Sequence, residues 1–469
     1  MIKRDPQTRS GRGRREKTAA EQGAGGSRRK KRFNKAAGLI TSLLALTASA
    51  FMYLAFNYIP AAGAAVILLL AGRLVLRGRE LKACEAVLSA IAAACVAAAA
   101  VSAAHHMART AFVTAATVIS LCLLIIPAAV NMKKGGRDAA DVTACAFGTA
   151  FSCLVILPLF VSAVCPDAAV RLMQTALEPY PEKPETTVEV SGGRTIYRDV
   201  TYESGYPNST YTVYSVKDSG GVFFYIHGGG LVWGDKEETR QNIYLNSLTG
   251  AGYSVVTVDY ALAPDHRFPD QLFQVNDALA FFIRHAGEYG IGTGRIIVGG
   301  DSAGGLLAGL LAAVNTDPSY AEKAGVTPAT SGTGITLKGF VSIAGLVDAP
   351  RFARTGSVFS DWFYDTMARC AFGRADYATD ESFAELSSVL ENITASFPPS
   401  FVSDGNARTF TDQGKDLIAK LDEYGIPNGG NFPPRSLARL THTWELDTST
   451  EQGRISFEKT VAFMDDYMR

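Results

Sequence analysis

Residues Val298–Gly305 read VGGDSAGG, four glycines and one serine in eight positions, directly after Ile296-Ile297 and directly before the apolar stretch GLLAGLLAAV (305–314). Such a stretch is either a loop that cradles phosphate or a turn that presents a serine. The phosphate-loop pattern needs Gly-Lys-Ser/Thr at its end, and Gly305 is followed by Leu306 and Leu307. The dinucleotide pattern G-x-G-x-x-G fails as well, because Gly299 and Gly300 are adjacent and the next glycine is Gly304. What fits is G-x-S-x-G, as Gly300-Asp301-Ser302-Ala303-Gly304 between a strand pattern and a helix pattern. Small residues two before and two after the serine allow the sharp strand-to-helix bend that exposes its hydroxyl. The first turn of the following helix offers unpaired N–H groups to a developing negative charge.

Two further elements give Ser302 partners. His227-Gly228-Gly229-Gly230 ends an apolar run about seventy residues upstream. A glycine tract leaves backbone N–H groups open to a substrate oxygen, which is the oxyanion-loop form of this sequence. In sites of this kind the chain order is nucleophile, acid, then histidine. Of the six histidines (105, 106, 227, 266, 285 and 442) only His442 follows Ser302, which makes it the candidate base.

Around these motifs, short apolar runs alternate with helical patterns. The runs are GVFFYIHGGG (221–230), YSVVTVDY (253–260), RIIVGGDSAGG (295–305), LKGFVSIAG (337–345), PSFVSDGN (399–406) and a weaker RSLARLTH (435–442). Helical stretches such as residues 270–290 and 411–425 lie between them. Near-continuous apolar strands alternating with amphipathic helices predict an α/β architecture, a mostly parallel sheet covered on both faces. Sites in such sheets form at the carboxyl ends of the strands, where every glycine-rich stretch here falls.

The chain of 469 residues has a formal net charge of +0, unevenly laid out. Residues 1–35 hold thirteen Lys or Arg against three acids and have little to bury, which predicts a disordered basic cytoplasmic tail. Five apolar runs follow: Ala37–Phe56, Ile59–Leu76, Cys84–Ala104, Thr110–Val130 and Thr143–Val164. Each is long enough to cross a bilayer as a helix, so residues 36–165 are expected to form an all-α transmembrane bundle of about five helices. A cleaved signal peptide would be one shorter run. The tail and the connections RGRELK (77–82) and NMKKGGRDAAD (131–141) are basic, which places them in the cytoplasm and everything after Val164 outside it. The basic tail then sits beside the membrane, and no nucleic-acid partner is expected. Six of the seven cysteines lie at or before Cys165, and Cys370 alone lies beyond it. Cysteine usage therefore does not bear on the compartment.

The segments YIHGGGLVWGD (225–235), VDYALAPDHRFPDQ (258–271), VGGDSAGG and the His442 region resemble the hormone-sensitive-lipase-like carboxylesterases and lipases of the α/β-hydrolases. The resemblance covers roughly residues 221–469. It implies an α/β-hydrolase fold with a small cap, a serine esterase with Ser302 as nucleophile and His442 as base, and no metal or cofactor. The oxyanion donors it implies are the N–H groups of Gly229, Gly230 and Ala303. The linker and cap start would then be residues 166–195, and the catalytic domain 196–469. Residues 346–397 are expected to contribute to the cap, with Trp362, Phe363 and Tyr364 as pocket walls or as packing.

The chain departs from that pattern at the acid. In PPSFVSDGNARTFTDQG (398–414), counting from the Pro-Pro pair places Arg408 where the aspartate is expected. Asp404 lies four residues earlier and Asp412 four later. Asp412 has a sufficient role as a helix N-cap, so Asp404 is the first choice to orient His442 and Asp412 the second. The sequence thus predicts a membrane-anchored hydrolase of carboxylic esters, short acyl or acetyl groups first, with lipid or glycan esters also open. The alternatives are a non-catalytic protein that has kept the fold as a binding scaffold at the membrane, and a membrane bundle with a function of its own. Few ionisable residues within the runs argue against the last.

Overall fold

The computed structural model describes Ser162 and residues 165–177 and 185–468. The basic tail and the apolar runs before Cys165, apart from Ser162, lie outside the described residues. Among the described residues, no helix is long and apolar enough to cross a membrane.

Among the described residues, nine strands form one sheet in the order β1-β2-β3-β5-β4-β6-β7-β8-β9. They are β1 (Thr187–Ser191), β2 (Arg194–Thr201), β3 (Thr210–Val216), β4 (Val222–Ile226), β5 (Ser254–Val258), β6 (Ile296–Asp301), β7 (Leu337–Ile343), β8 (Ser400–Ser403) and β9 (Asn428–Asn431). The first three are antiparallel, and every pairing from β5 onward is parallel. The central strands VFFYI, SVVTV and IIVGGD are buried along their whole length, which is why they read as unbroken apolar runs.

Successive residues of each strand serve opposite faces. Phe224, Val256, Val298 and Phe340 pack against α3 (Asp270–His285) and α4 (Ala303–Thr316). Phe223, Val255, Ile297 and Val341 pack against α2 (Thr239–Gly250) and α9 (Glu451–Met468). Helix α4 is buried on every side, as expected of a helix with no polar face. Full burial of its Leu306, Leu307, Leu310 and Leu311 contributes roughly 1.5–3 kcal/mol each.

Between β7 and β8 the chain inserts α6 (Val358–Phe372) and α7 (Glu381–Ser387), and α1 (Pro166–Leu177) packs against α6. The short helix α5 (Pro318–Ala324) and helix α8 (Thr411–Glu423) complete the α-helices of the described residues.

Three expectations change. The sheet already begins at Thr187, within the stretch 166–195 expected as linker and cap start, whose described residues carry α1, β1 and the start of β2. Residues 435–442 are not a strand; the sheet's last strand is Asn428–Asn431, NGGN, paired with β8 in parallel. The N-cap of α8 is Phe410, and Asp412 sits exposed in the first helical turn.

Candidate active site

Ser302 occupies the turn between β6 and α4 with φ 53° and ψ −122°. A serine in that region is strained by roughly 1–3 kcal/mol and persists only if its surroundings hold it. They do: Ser302 N–H donates to Ile343 O at 3.0 Å, and its carbonyl accepts from Gly305 N (3.0 Å) and Leu346 N (2.9 Å). The glycine that follows two positions later is forced by packing, since a Cβ on Gly304 would lie 2.0 Å from the carbonyl oxygen of Ile226. Adjacent strand and helix backbone therefore meet where only glycine fits.

His442 comes from the loop after β9. Its Nε2 lies 2.8 Å from Ser302 Oγ, although the two residues are 140 positions apart in sequence. The imidazole is fixed by ring-edge contacts with Phe410 (5.1 Å) and Tyr364 (5.9 Å). Burial pushes its pKa down to about 4, so the ring is neutral and able to accept a proton at ordinary pH. His442 as a whole residue is half-buried.

Behind the histidine the arrangement is not a direct acid contact. His442 Nδ1 lies 2.9 Å from Thr409 Oγ1, and Thr409 Oγ1 in turn donates to Asp404 Oδ1 at 2.6 Å. Gly405 N–H donates to the same carboxylate oxygen, also at 2.6 Å. Asp404 is 1 % exposed, and burial raises its pKa. Glu445, three residues after His442, is buried too, and burial together with the charge of Asp404 holds it well above the usual carboxylate range. The site thus brings Ser302, His442 and Asp404 together but leaves Asp412 outside, on the surface.

The glycine loop closes the other side. A Cβ on Gly228 would lie 3.0 Å from Ser302 Cβ, so this loop is packed directly on Ser302. Gly229 (φ 95°), Gly230 (φ 63°) and Leu231 (φ 65°) turn the chain through left-handed conformations. The N–H groups of Gly229, Gly230 and Ala303 donate to no acceptor among the described residues. Two anchors hold the loop. Asp301 Oδ1 accepts from Gly228 N–H (2.9 Å) and from Tyr225 OH (2.5 Å). Tyr260 OH donates to the carbonyls of His227 and Gly228, both at 2.9 Å, while its ring stacks on His227 at 4.2 Å. Tyr260 opens the segment YALAPDHRFP, which is thereby structural.

An aromatic wall runs from this loop to the histidine. Met367 and Phe352 lie against Gly230; Phe352 stacks on Tyr364 (5.5 Å), which borders His442. Of the three aromatic residues singled out in the cap, Tyr364 borders the site and Phe363 packs on Trp233 at 5.5 Å. Trp362 packs on the exposed Phe359. Sequence reasoning missed Thr409 and the Tyr225–Asp301 anchor. Thr409 stands between the two candidate aspartates, and Asp301 is the variable position of G-x-S-x-G, but neither carries a pattern of its own.

A mostly parallel sheet with a strained serine after β6, a histidine beyond the last strand and a glycine loop after β4 defines the α/β-hydrolase fold. Within that class the chain's similarities are specific. Residues 211–421 match the BD-FAE family model. The chain is 30% identical to Esterase LipI of Mycobacterium tuberculosis over 216 residues, 44% of this chain and 61% of that protein. It is 31% identical to an acetyl esterase of Salmonella schwarzengrund over 127 residues, 27% of this chain and 36% of that protein. The chain therefore spans less than two thirds of the length of either relative. An inhibited esterase B from Lactobacillus rhamnosis has the same fold, with a TM-score of 0.50 at 20% identity, covering 64% of this chain and 92% of that one.

Proposed function

We propose that the chain is a serine carboxylesterase in which Ser302 forms an acyl-enzyme. The observation that carries this reading is the 2.8 Å contact between Ser302 Oγ and His442 Nε2, beside a glycine loop in which the N–H groups of Gly229 and Gly230, like that of Ala303, donate to no acceptor among the described residues. His442 takes the proton of Ser302 as its oxygen bonds the ester carbonyl carbon. The carbonyl electron pair moves onto oxygen, where each N–H donor stabilises it by roughly 3–4 kcal/mol. The imidazolium then gives its Nε2 proton to the leaving alcohol. Water, deprotonated by His442, releases the acid and regenerates Ser302.

Acyl groups of acetyl to short-chain length are the proposed substrates. The wall of Met367, Phe352 and Tyr364 beside Gly230 supports this, as do the acetyl esterases among the relatives. The apolar runs before Cys165 support anchoring in a membrane, through contact with its lipids, with the N-terminus cytoplasmic and the hydrolase unit outside.

Ser302→Ala in the full-length chain is expected to lower p-nitrophenyl acetate hydrolysis at least a thousandfold and to abolish labelling by a fluorophosphonate probe. Undiminished hydrolysis by that variant refutes the proposal. The second reading, a non-catalytic scaffold, is favoured by one observation, the absence of a direct bond between Asp404 and His442. A wild-type chain that the probe does not label would establish it.

A further inference from the structure

We propose that Thr409 is the positioning residue of His442, and that Asp404 acts on the imidazole only through the Thr409 hydroxyl. This inference rests on the esterase reading of the site for its kinetic consequence, but not for its structural one.

Thr409 has one hydroxyl hydrogen and two neighbours in reach, Asp404 Oδ1 at 2.6 Å and His442 Nδ1 at 2.9 Å. Asp404 Oδ1 also accepts from Gly405 N–H, so it is the accepting oxygen whether or not the carboxyl is ionised, and the shorter of the two bonds takes the hydroxyl hydrogen. Thr409 Oγ1 is then left as an acceptor, and His442 Nδ1 must carry the hydrogen that it accepts. With Nδ1 protonated, Nε2 is the unprotonated nitrogen, and it is the one facing Ser302 Oγ at 2.8 Å. One threonine therefore fixes the tautomer that a directly bonded acid would otherwise fix.

When Ser302 transfers its proton to Nε2, the positive charge on the ring meets the Thr409 oxygen, made more negative by its bond to Asp404. No proton needs to leave Nδ1, and the Nε2 proton goes on to the leaving alcohol. Arg408 and Thr409 show how the chain arranges this. Arg408 adopts φ 59° and is exposed, so the position where the sequence pattern expects an acid is turned to solvent, and the next residue is turned inward. Thr409 is 6 % exposed.

The test is Thr409→Val, which removes the hydroxyl at nearly constant volume, beside Thr409→Ser, which keeps it. In the full-length chain T409V is expected to lower kcat about 100- to 1000-fold with KM within twofold, and T409S to restore it to within about fivefold of wild type. A packing role alone would not separate the two variants in this way. Independently of activity, 15N NMR of the imidazole is expected to show the Nδ1–H tautomer of His442 in wild type and T409S and its loss in T409V. Should T409V not fold, Asp404→Asn gives a second readout. Its side-chain oxygen still accepts from Thr409, so the Nδ1–H tautomer persists, whereas an acid bonded directly to the ring would release it. T409V with wild-type kcat and an unchanged tautomer overturns the inference, as does tautomer loss in D404N. A wild-type chain that fluorophosphonate does not label refutes the esterase reading alone and leaves the tautomer measurement to decide the role of Thr409.

Discussion

Asp404→Asn separates what the acid does for activity from what it does to stability, and the two effects have opposite signs. Burial pushes the Asp404 carboxyl from its usual 3.8 up to about 7. Between those pH values the native state holds a proton that the unfolded chain has lost. The protonated acid's contribution to stability is thus fully present below pH 3.8 and is lost as pH rises through about 7. Roughly three pH units at 1.36 kcal/mol each give about 4 kcal/mol of destabilisation above pH 7 relative to a neutral side chain of the same shape. That is a ceiling, because the neighbouring buried Glu445 can hold the proton instead. Asparagine supplies the neutral shape and keeps an oxygen for Gly405 N–H and Thr409 OH. D404N is therefore expected to be more stable than wild type at pH 8, by up to about 4 kcal/mol, with the gap closing below pH 4. All three tryptophans, Trp233, Trp362 and Trp444, lie within the described residues. Urea titrations followed by tryptophan fluorescence thus report this unit within the full chain. The same variant is expected to lose about 10- to 100-fold in kcat, less than the roughly 10⁴-fold seen where a directly bonded acid loses its charge. A D404N chain that is less stable than wild type by the same amount at pH 4 and pH 8 would refute the charge argument.

Tyr225→Phe removes one of the two hydrogen bonds to Asp301 Oδ1 and leaves Gly228 N–H as its remaining donor. A loss of about 1.5–3 kcal/mol in stability is expected, with a fall of about tenfold in kcat/KM as the glycine loop loosens over Ser302; wild-type values for both would show that the loop is anchored elsewhere. The proposed membrane anchoring predicts that the chain resists alkaline extraction from membranes. It also predicts that, in intact cells, external protease reaches the hydrolase unit but not the basic tail, and release of the chain by alkali would contradict it.

The central sheet was legible because β4 to β8 are buried on both faces and leave unbroken apolar runs. The outer strands were not, for two physical reasons. Strand β1, TVEVS, is exposed at every residue and is held by its pairing with β2, which no apolar pattern records. Strand β9, NGGN, is made of residues disfavoured in strands and exists because β8 pairs with it in register from Ser400↔Asn428 to Ser403↔Asn431. Tertiary pairing outweighed propensity there, while the more strand-like RSLARLTH became the loop that delivers His442.

The site divides along the same line. Ser302 and the glycine loop were legible because backbone geometry selects their neighbours: only small residues fit at the elbow, and only glycine leaves the N–H groups open. His442 was legible by elimination. The candidate acid was legible only as a choice between Asp404 and Asp412, because what separates them is a side-chain bond through a third residue. Four residues upstream of the expected position, at the end of β8, a carboxylate is held at a distance from the ring by its own turn, with Gly405 N–H on the same oxygen as Thr409. A hydroxyl on the residue after Arg408 spans that distance. The substitution at one position and the threonine at the next are then a single device: a left-handed Arg408 aims Thr409 inward, and the bond it makes on each side does what one aspartate would have done alone.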